Sequence, residues 1–396
     1  MGIDGNAKVA SLVPGFDRLS PAEMFRCYNS SIGKENFNIF DNQFWGAIEA
    51  YYRNFPENFD LQKLPEKTAN LFKTMQRIAQ YTLACVGLSS DNFQLGLTQF
   101  SDWSLNSYKK LSGARASPAS IRARLANKPK YKDDDDDEAP SETTRPKNNG
   151  LRLIRRKRDD EAPIDPICIP KNKSPLPDEF DWRKQGKVTP VKWQKECGSC
   201  WTFASISALE SAYLIKGKTT DANFDLSEQQ LLSCGVDRGC ESGGTAVDAY
   251  TYILTNKGVT GESTLPYDHK NVKCEKKKRS AKIKDFCVRG IYVSIDGKPE
   301  ELNDMEIQYA VREYGPVYTT IDGEGSDTLQ HYKNGVYDEP KCKKETNHAV
   351  VIVGWTKDSW IVKNSWGEKW GIDGYVLMKR GKNMCGINSY ISWPMV

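Results

Sequence analysis

From Cys200 to Leu214 the chain reads Cys-Trp-Thr-Phe-Ala-Ser-Ile-Ser-Ala-Leu-Glu-Ser-Ala-Tyr-Leu. Phe203, Ala204, Ile206, Ala208, Leu209, Ala212, Tyr213 and Leu214 nearly encircle a helix, and Gly217 supplies its stop. A helix that is apolar almost all round has to be wrapped by other elements, so this one is expected at the centre of a core. It starts on a cysteine, after the loop Glu196-Cys197-Gly198-Ser199. A thiol in the first turn of a helix feels the positive end of the helix dipole, which favours thiolate, the reactive form. Cys200 is therefore a candidate nucleophile, and the rest of the chain is expected to supply its base, its oxyanion donors and its lock.

A chain of 396 residues suggests two domains. With 38% hydrophobic and 27% charged residues, it has the composition of a soluble globular protein. The net charge of +4 gives no reason to expect a nucleic-acid partner, and no apolar run reaches the ~18 residues of a membrane span. The start, Met1 to Lys8, lacks the apolar segment of a signal peptide, and Asn6 spoils a myristoylation site. Eleven cysteines nevertheless point to an oxidising compartment, so the true start is expected upstream or already removed.

Asn29-Ser30-Ser31 is either a glycosylation acceptor or a chance tripeptide. Asp41 to Phe55 reads as a helix ended by Pro56, with Phe44, Ile48, Tyr52 and Phe55 at helical spacing. A second helix spans Pro65 to Tyr81, and Phe93, Leu95 and Leu97 alternate as a strand. Ser101-Asp102-Trp103 opens a short last helix that stops before Gly113. Residues 114–175 read as a flexible linker, with an acidic run Asp133 to Asp137 and a basic cluster Arg152 to Arg158. Beyond 176, helical stretches come first (Gln229 to Leu232, Ala246 to Asn256). Strand-like ones follow at Val317 to Ile321, Ala349 to Val353, Ser359 to Lys363 and Tyr375 to Lys379. That order argues for an α+β fold.

Cys197-Gly198-Ser199-Cys200-Trp201, Ser227-Glu228-Gln229-Gln230, Gly243-Gly244, Asn347-His348-Ala349 and Lys363-Asn364-Ser365-Trp366-Gly367 follow one another in an order that resembles the papain-like cysteine proteases. The resemblance covers roughly 176–396. More loosely, 40–113 resembles the propeptide of that family, with Gly96-Leu97-Thr98-Gln99-Phe100-Ser101-Asp102 in place of its G-x-N-x-F-x-D motif. It implies a mainly helical inhibitory propeptide at 1–113, the linker at 114–175, and a catalytic domain at 176–396. That domain would have a helical lobe, a β-barrel-like lobe and a cleft between them.

Among the three histidines, His348 stands in the motif and within ~130–150 residues of Cys200, whereas His269 and His331 have no motif around them. An imidazole titrating near neutrality can take the thiol proton and return it to the leaving amine. The resemblance assigns Asn364 to orient His348, Gln194 and the Cys200 backbone N–H to the oxyanion, and Trp366 to shield the His–Asn bond. It gives Gly243, Gly244 and Asn347 to substrate, and Ala246, Thr320, Thr346, Ala349 and Tyr390 to the main specificity pocket. That pocket is expected to take an aliphatic or aromatic side chain. Trp193 and Lys195 depart from the family's usual Asn and Gly.

The resemblance also pairs Cys197 with Cys240, Cys234 with Cys274, and Cys342 with Cys385, leaving Cys200 free. Cys168–Cys287 and Cys27–Cys85 would use the rest. Cys197 and Cys200 have C-x-x-C spacing, but no second such pair exists, so neither zinc nor another metal or cofactor is expected. The implied activity is that of a secreted or lysosomal endopeptidase made as a zymogen, acting on protein or peptide substrates and most simply a monomer. Its partners would be its own propeptide, a furin-like convertase at Arg155 to Arg158, and cystatin-type inhibitors. Two alternatives stay open: a non-proteolytic peptide-binding or inhibitory relative, and an acyl transferase using the same triad.

Overall fold

The structure is a computed structural model that describes residues 42–85, 93–114, 118–126, 128–129, 166–235, 239–275, 277–290, 301–325 and 328–396. Asn29, Cys27 with its expected bond to Cys85, the acidic run and the basic cluster at Arg155 to Arg158 lie outside them.

The N-terminal unit opens with α1 (Asn42–Asn54) and α2 (Leu64–Cys85), which enclose a small core of Ile48, Tyr51, Tyr52, Phe55 and Leu71. The expected strand contracts to β1 (Gln94–Leu95). It is cut short because the Gly96 N–H bonds the His331 carbonyl and Thr98 Oγ1 donates to the Gln330 carbonyl, which turns the chain. Asp102 is buried and takes bonds from Lys67 Nζ (3.0 Å), Asn58 Nδ2 (3.0 Å) and the Tyr51 hydroxyl (3.1 Å), fastening this turn to both helices. The last helix, α3 (Leu105–Lys109), starts later than its sequence suggests, because Ser104 is the residue whose hydroxyl caps it.

A further helix, α4 (Pro118–Leu125), stands inside the stretch expected to be linker. Proline is preorganised for a first helical position, and Ile121 gives the helix one buried anchor. Arg124 pairs with Asp248, while Lys128 pairs with Asp285 and lies 4.5 Å from the centre of the Phe286 ring. Composition alone favoured linker because these few contacts are spread among charged residues. Further on, the turn Pro166–Cys168 is bonded to Cys287, so folded structure also precedes 176.

In the C-terminal part, β2 (Phe180–Asp181) leads to α5 (Cys200–Ile215), α6 (Glu228–Cys234), α7 (Gly239–Ser242) and α8 (Ala246–Thr255). Then come β3 (Asp285–Arg289), α9 (Asp304–Tyr314), β4 (Val317–Ile321), β5 (Tyr332–Asn334) and β6 (Val336–Tyr337). The chain ends with β7 (His348–Trp355), β8 (Ser359–Lys363), β9 (Tyr375–Lys379) and β10 (Ile391–Met395). Every residue of α5 except Tyr213 and Ile215 is buried, as its all-round apolar pattern requires. Thr245 and Asp248 form a reciprocal capping box at the start of α8.

The strands form one ladder in the order β3-β10-β4-β7-β8-β9-β6, with β2 beside β7. The ladder does not close into a barrel, and with the helices it makes the expected α+β fold. The central strand β7 is buried along its whole length and packed by α5 and by α9, so both faces of the sheet are covered without the sheet closing on itself. Side chains alternate across a strand. Val350 and Ile352 therefore join a core with Trp360 and Val362, while Ala349, Val351 and Val353 join a core with Trp201 and Ala204. The N-terminal unit attaches at the side: β1 pairs antiparallel with β5, Leu95 opposite Tyr332.

Candidate active site

Three elements meet over the start of α5. The first is α5 itself, which places Cys200 fully buried in its first turn and outside any disulfide. The second is β7. Its first residue, His348, pairs with Ile321 at the end of β4, which puts the imidazole at the end of the sheet. The third is the turn after β8: Lys363 pairs with Val351, and Asn364 follows at once.

His348 Nε2 lies 2.9 Å from Asn364 Oδ1. A carbonyl oxygen can only accept, so Nε2 carries the hydrogen and Nδ1 holds a lone pair, the form that can accept a proton. Nδ1 is buried without a hydrogen bond. Trp366 lies against the imidazole with ring centres 4.8 Å apart. Burial pushes the His348 pKa down to about 4, against smaller opposing pulls from Asn364 and the Leu111 carbonyl. With the cleft covered, this histidine is neutral at pH 7.

Gln194 is buried in the loop ahead of α5. Its Nε2 donates to the Cys197 carbonyl (2.8 Å) and to the Leu111 carbonyl (2.8 Å). Its Oε1 accepts from Ser365 Oγ at 2.7 Å, and Ser365 in turn gives its N–H to Asn364 Oδ1 at 2.8 Å. Ser365 thus joins the amide of Gln194 to the amide that holds His348, a link that the motif position of Ser365 did not reveal. Lys195, where the resemblance leads one to expect Gly, has φ 52°, the left-handed region that disfavours a side chain.

The segment Leu111 to Ala114 runs through this site. Its Leu111 carbonyl sits on Gln194 Nε2, the Gly113 N–H points at Cys200 Sγ (3.3 Å), and the Gly113 carbonyl accepts from the Gly244 N–H (2.8 Å). The Ala114 N–H donates to the Asn347 carbonyl (2.9 Å). Of the two glycines, Gly244 makes the strand-like bond. Gly243, at φ 63°, leaves room, since a Cβ there would lie 1.8 Å from the Gly113 carbonyl oxygen. Upstream, Phe100 and Tyr108 contact Trp366 edge to face (5.2 and 5.5 Å), and the Tyr108 hydroxyl donates to the Gly323 carbonyl.

The positions expected to form the specificity pocket are brought together only in part by direct contacts. Thr320 faces Ala349 across the β4–β7 pair, and its hydroxyl donates to Thr346 Oγ1 at 2.8 Å. Each threonine thereby spends its polarity on the other. Ala246, Ala349 and Tyr390 belong to the same buried cluster as Ala114 and Ile121, so the two residues that follow Gly113 in this cluster come from the N-terminal part of the chain. Ile121 could not have been found from its sequence surroundings.

Four disulfides frame the site: Cys168–Cys287, Cys197–Cys240, Cys234–Cys274 and Cys342–Cys385. Among the described residues, Asp225, Glu228 and Glu262 bring ligand atoms within 4.8 Å of one another, the spacing a cation could use. Lys192 Nζ already bridges Asp225 (2.6 Å), Glu228 (2.7 Å) and Glu210 (3.1 Å), so an ammonium neutralises the group from within. No helix among the described residues is long and apolar enough to cross a membrane.

Residues 176–395 match the family model described as papain family cysteine protease. Cathepsin J of Mus musculus is 40% identical over 236 residues, covering 56% of this chain and 66% of that protein. Digestive cysteine proteinase 2 of Homarus americanus is 37% identical over 246 residues, covering 59% and 72%. The chain therefore spans about two thirds of the length of these relatives. Among solved structures, digestive procathepsin L2 from Tenebrio molitor larval midgut superposes with a TM-score of 0.68 at 27% identity, covering 89% of this chain and all (100%) of the other. The stem bromelain precursor gives a TM-score of 0.65 at 26% identity, covering 90% and 99%.

Proposed function

Because the chain belongs to the papain family of cysteine proteases, we propose that it is a cysteine endopeptidase made as a zymogen. In this reading Cys200 attacks the peptide carbonyl and His348, having taken the thiol proton, returns it to the leaving amine. A thioester joins Cys200 to the acyl half of the substrate. Water then gives a proton to His348, attacks the thioester and releases a carboxylic acid, and the thiol is restored. Asn364 keeps the His348 ring turned toward the sulfur. A neutral amide in that place leaves the imidazolium to the thiolate, where a carboxylate would compete for it. Gln194 Nε2 and the Cys200 backbone N–H hold the oxyanion, a position worth ~3–4 kcal/mol per donor in comparable sites.

The observation that carries the reading is the seating of Leu111 to Ala114. A main-chain carbonyl occupies the Gln194 donor, and the next amide but one lies over the sulfur. The chain fills its own cleft with peptide, which is the class of molecule we propose as substrate. The same segment is the inhibitor, within an N-terminal region ending near 113. Residues 114–175 then act as a tether that is partly docked by α4, and the catalytic domain runs from about 176. Substrate lies along Gly243 and Gly244 with Asn347 opposite, under Trp366. Its main side chain, aliphatic or aromatic, sits among Ala246, Thr320, Thr346, Ala349 and Tyr390. Four disulfides support a secreted or lysosomal setting. A furin-like convertase cutting at Arg155 to Arg158 and cystatin-type inhibitors are the further partners of this reading.

The test is turnover of a fluorogenic peptide by the acidified chain beside Cys200→Ala. Turnover by the first and none by the second is expected. Equal rates from both, or no turnover from the chain after its N-terminal part is removed, defeats the proposal.

A further inference from the structure

Tyr267 stands outside every motif that marks this site, yet its hydroxyl lies between the two residues that frame the nucleophile. The Tyr267 oxygen is 2.7 Å from the Gln194 carbonyl and 2.6 Å from Ser199 Oγ. A carbonyl only accepts, so the single phenolic hydrogen goes to Gln194, and the Ser199 hydroxyl must donate to the phenol. The result is a directed chain, Ser199 to Tyr267 to Gln194.

Two features mark this chain as built for position. Serine before a helix normally accepts a bond from the first turn. Ser199 occupies that place ahead of α5 and makes no such bond; its hydroxyl is committed to Tyr267 instead. The tyrosine is itself fixed from two sides. Its N–H donates to Glu262 Oε1 at 2.7 Å, and its ring meets Phe203 of α5 edge to face at 4.8 Å. Gln194 and Ser199 are both fully buried.

We infer that Tyr267 is a positioning residue that braces the loop from Gln194 to Ser199 and so sets the spacing between the Gln194 side-chain donor and the Cys200 backbone N–H. The inference rests on the reading of Gln194 as an oxyanion donor. That loop also contains the left-handed Lys195, so its backbone is held away from a relaxed shape. Loss of the phenolic hydrogen leaves a buried carbonyl unbonded and lets the loop shift. A donor displaced by a fraction of an ångström serves the transition state less well while substrate, gripped elsewhere, binds as before.

The experiment is Tyr267→Phe in the activated enzyme, with rates taken per Cys200 titratable by an active-site thiol reagent, so misfolded molecules do not enter. We expect kcat to fall about tenfold, the factor that loss of one well-placed hydrogen bond gives, with KM changed less than about twofold. Alkylation of Cys200 by iodoacetamide, which develops no oxyanion, should keep its rate and its pH profile. In a Gln194→Ala background, Tyr267→Phe should cost no more than about twofold, because the donor it positions is gone. A kcat within about twofold of wild type overturns the inference, and so does an equal loss in both backgrounds. Failure of the wild type to turn over peptide would instead overturn the protease reading.

Discussion

Gly113→Ala tests the lock at the point where it is tightest. A Cβ at 113 would lie 1.7 Å from the Gly198 carbonyl oxygen and 2.3 Å from its carbon, and both are backbone atoms on the wall of the cleft. Gly113 is not among the residues with positive φ, so alanine is free to adopt its backbone shape and the N-terminal unit should fold as before. The cost therefore falls on docking alone. To clear Gly198 the segment has to lift by more than an ångström, and three main-chain bonds go with it: Gly113 N–H to Cys200 Sγ, Gly244 N–H to the Gly113 carbonyl, and Ala114 N–H to the Asn347 carbonyl. At about 1 kcal/mol net each, the loss is about 3 kcal/mol, or roughly a hundredfold more of the uncovered form. The assay is the rate at which iodoacetamide alkylates Cys200 in the uncut chain at neutral pH. It is read by intact mass, so molecules that have cleaved themselves are counted apart. If uncut Gly113→Ala reacts within about twofold of the wild-type rate, the segment is not what covers the sulfur.

Acid should loosen the same contact. His331 is fully buried beside β5 where β1 docks, neither ring nitrogen is bonded, and burial, with the Arg77 charge adding to it, pushes its pKa from 6.5 down to about 3. The docked state excludes the proton, so its stability is full above the ordinary histidine value and declines as pH falls from about 6.5 toward about 3, by up to ~1.4 kcal/mol per unit. His331→Phe should remove about one proton from the pH dependence of Cys200 alkylation between pH 6 and 4; an unchanged slope would refute the assignment. Arg124→Glu should raise neutral-pH alkylation only about two- to fivefold, since the Arg124–Asp248 pair is partly exposed, and Asp248→Lys in the same chain should restore it. Asn364→Ala in the activated enzyme should lower kcat about tenfold or more with little change in KM, because the 2.9 Å bond that turns the imidazole is lost; equal kcat values would remove Asn364 from that role.

The parts of the site that could be read from sequence are those whose chemistry forces a residue type next to a recognisable neighbour. Cys200 begins an apolar helix, His348 begins a buried strand, and Asn364 and Gln194 stand in motifs, so the resemblance names all four as candidates before any contact is known. Tyr267 was missed because it lies in a polar loop with no periodic pattern, and its partners are a carbonyl and a serine that could have bonded elsewhere. Helix α4 was missed for a physical reason too. Eight residues anchored by the buried Ile121 carry too little pattern to outweigh the charged residues around them. The open sheet could not be foreseen, since strand order depends on long-range register rather than on the strands' own composition. The helices and strands of the C-terminal part followed their local signals closely. Caps such as Ser227 and Thr245 and the unbroken apolar run of β7 state their structure within a few residues.

The grip on Leu111 to Ala114 is made to carbonyls and amides, and those groups are the same in every polypeptide. What the cleft verifies in its occupant is an outline: a bare methylene over Gly198, with Leu111, Ser112 and Ala114 buried on either side. One added methyl at that single place would therefore arm the enzyme.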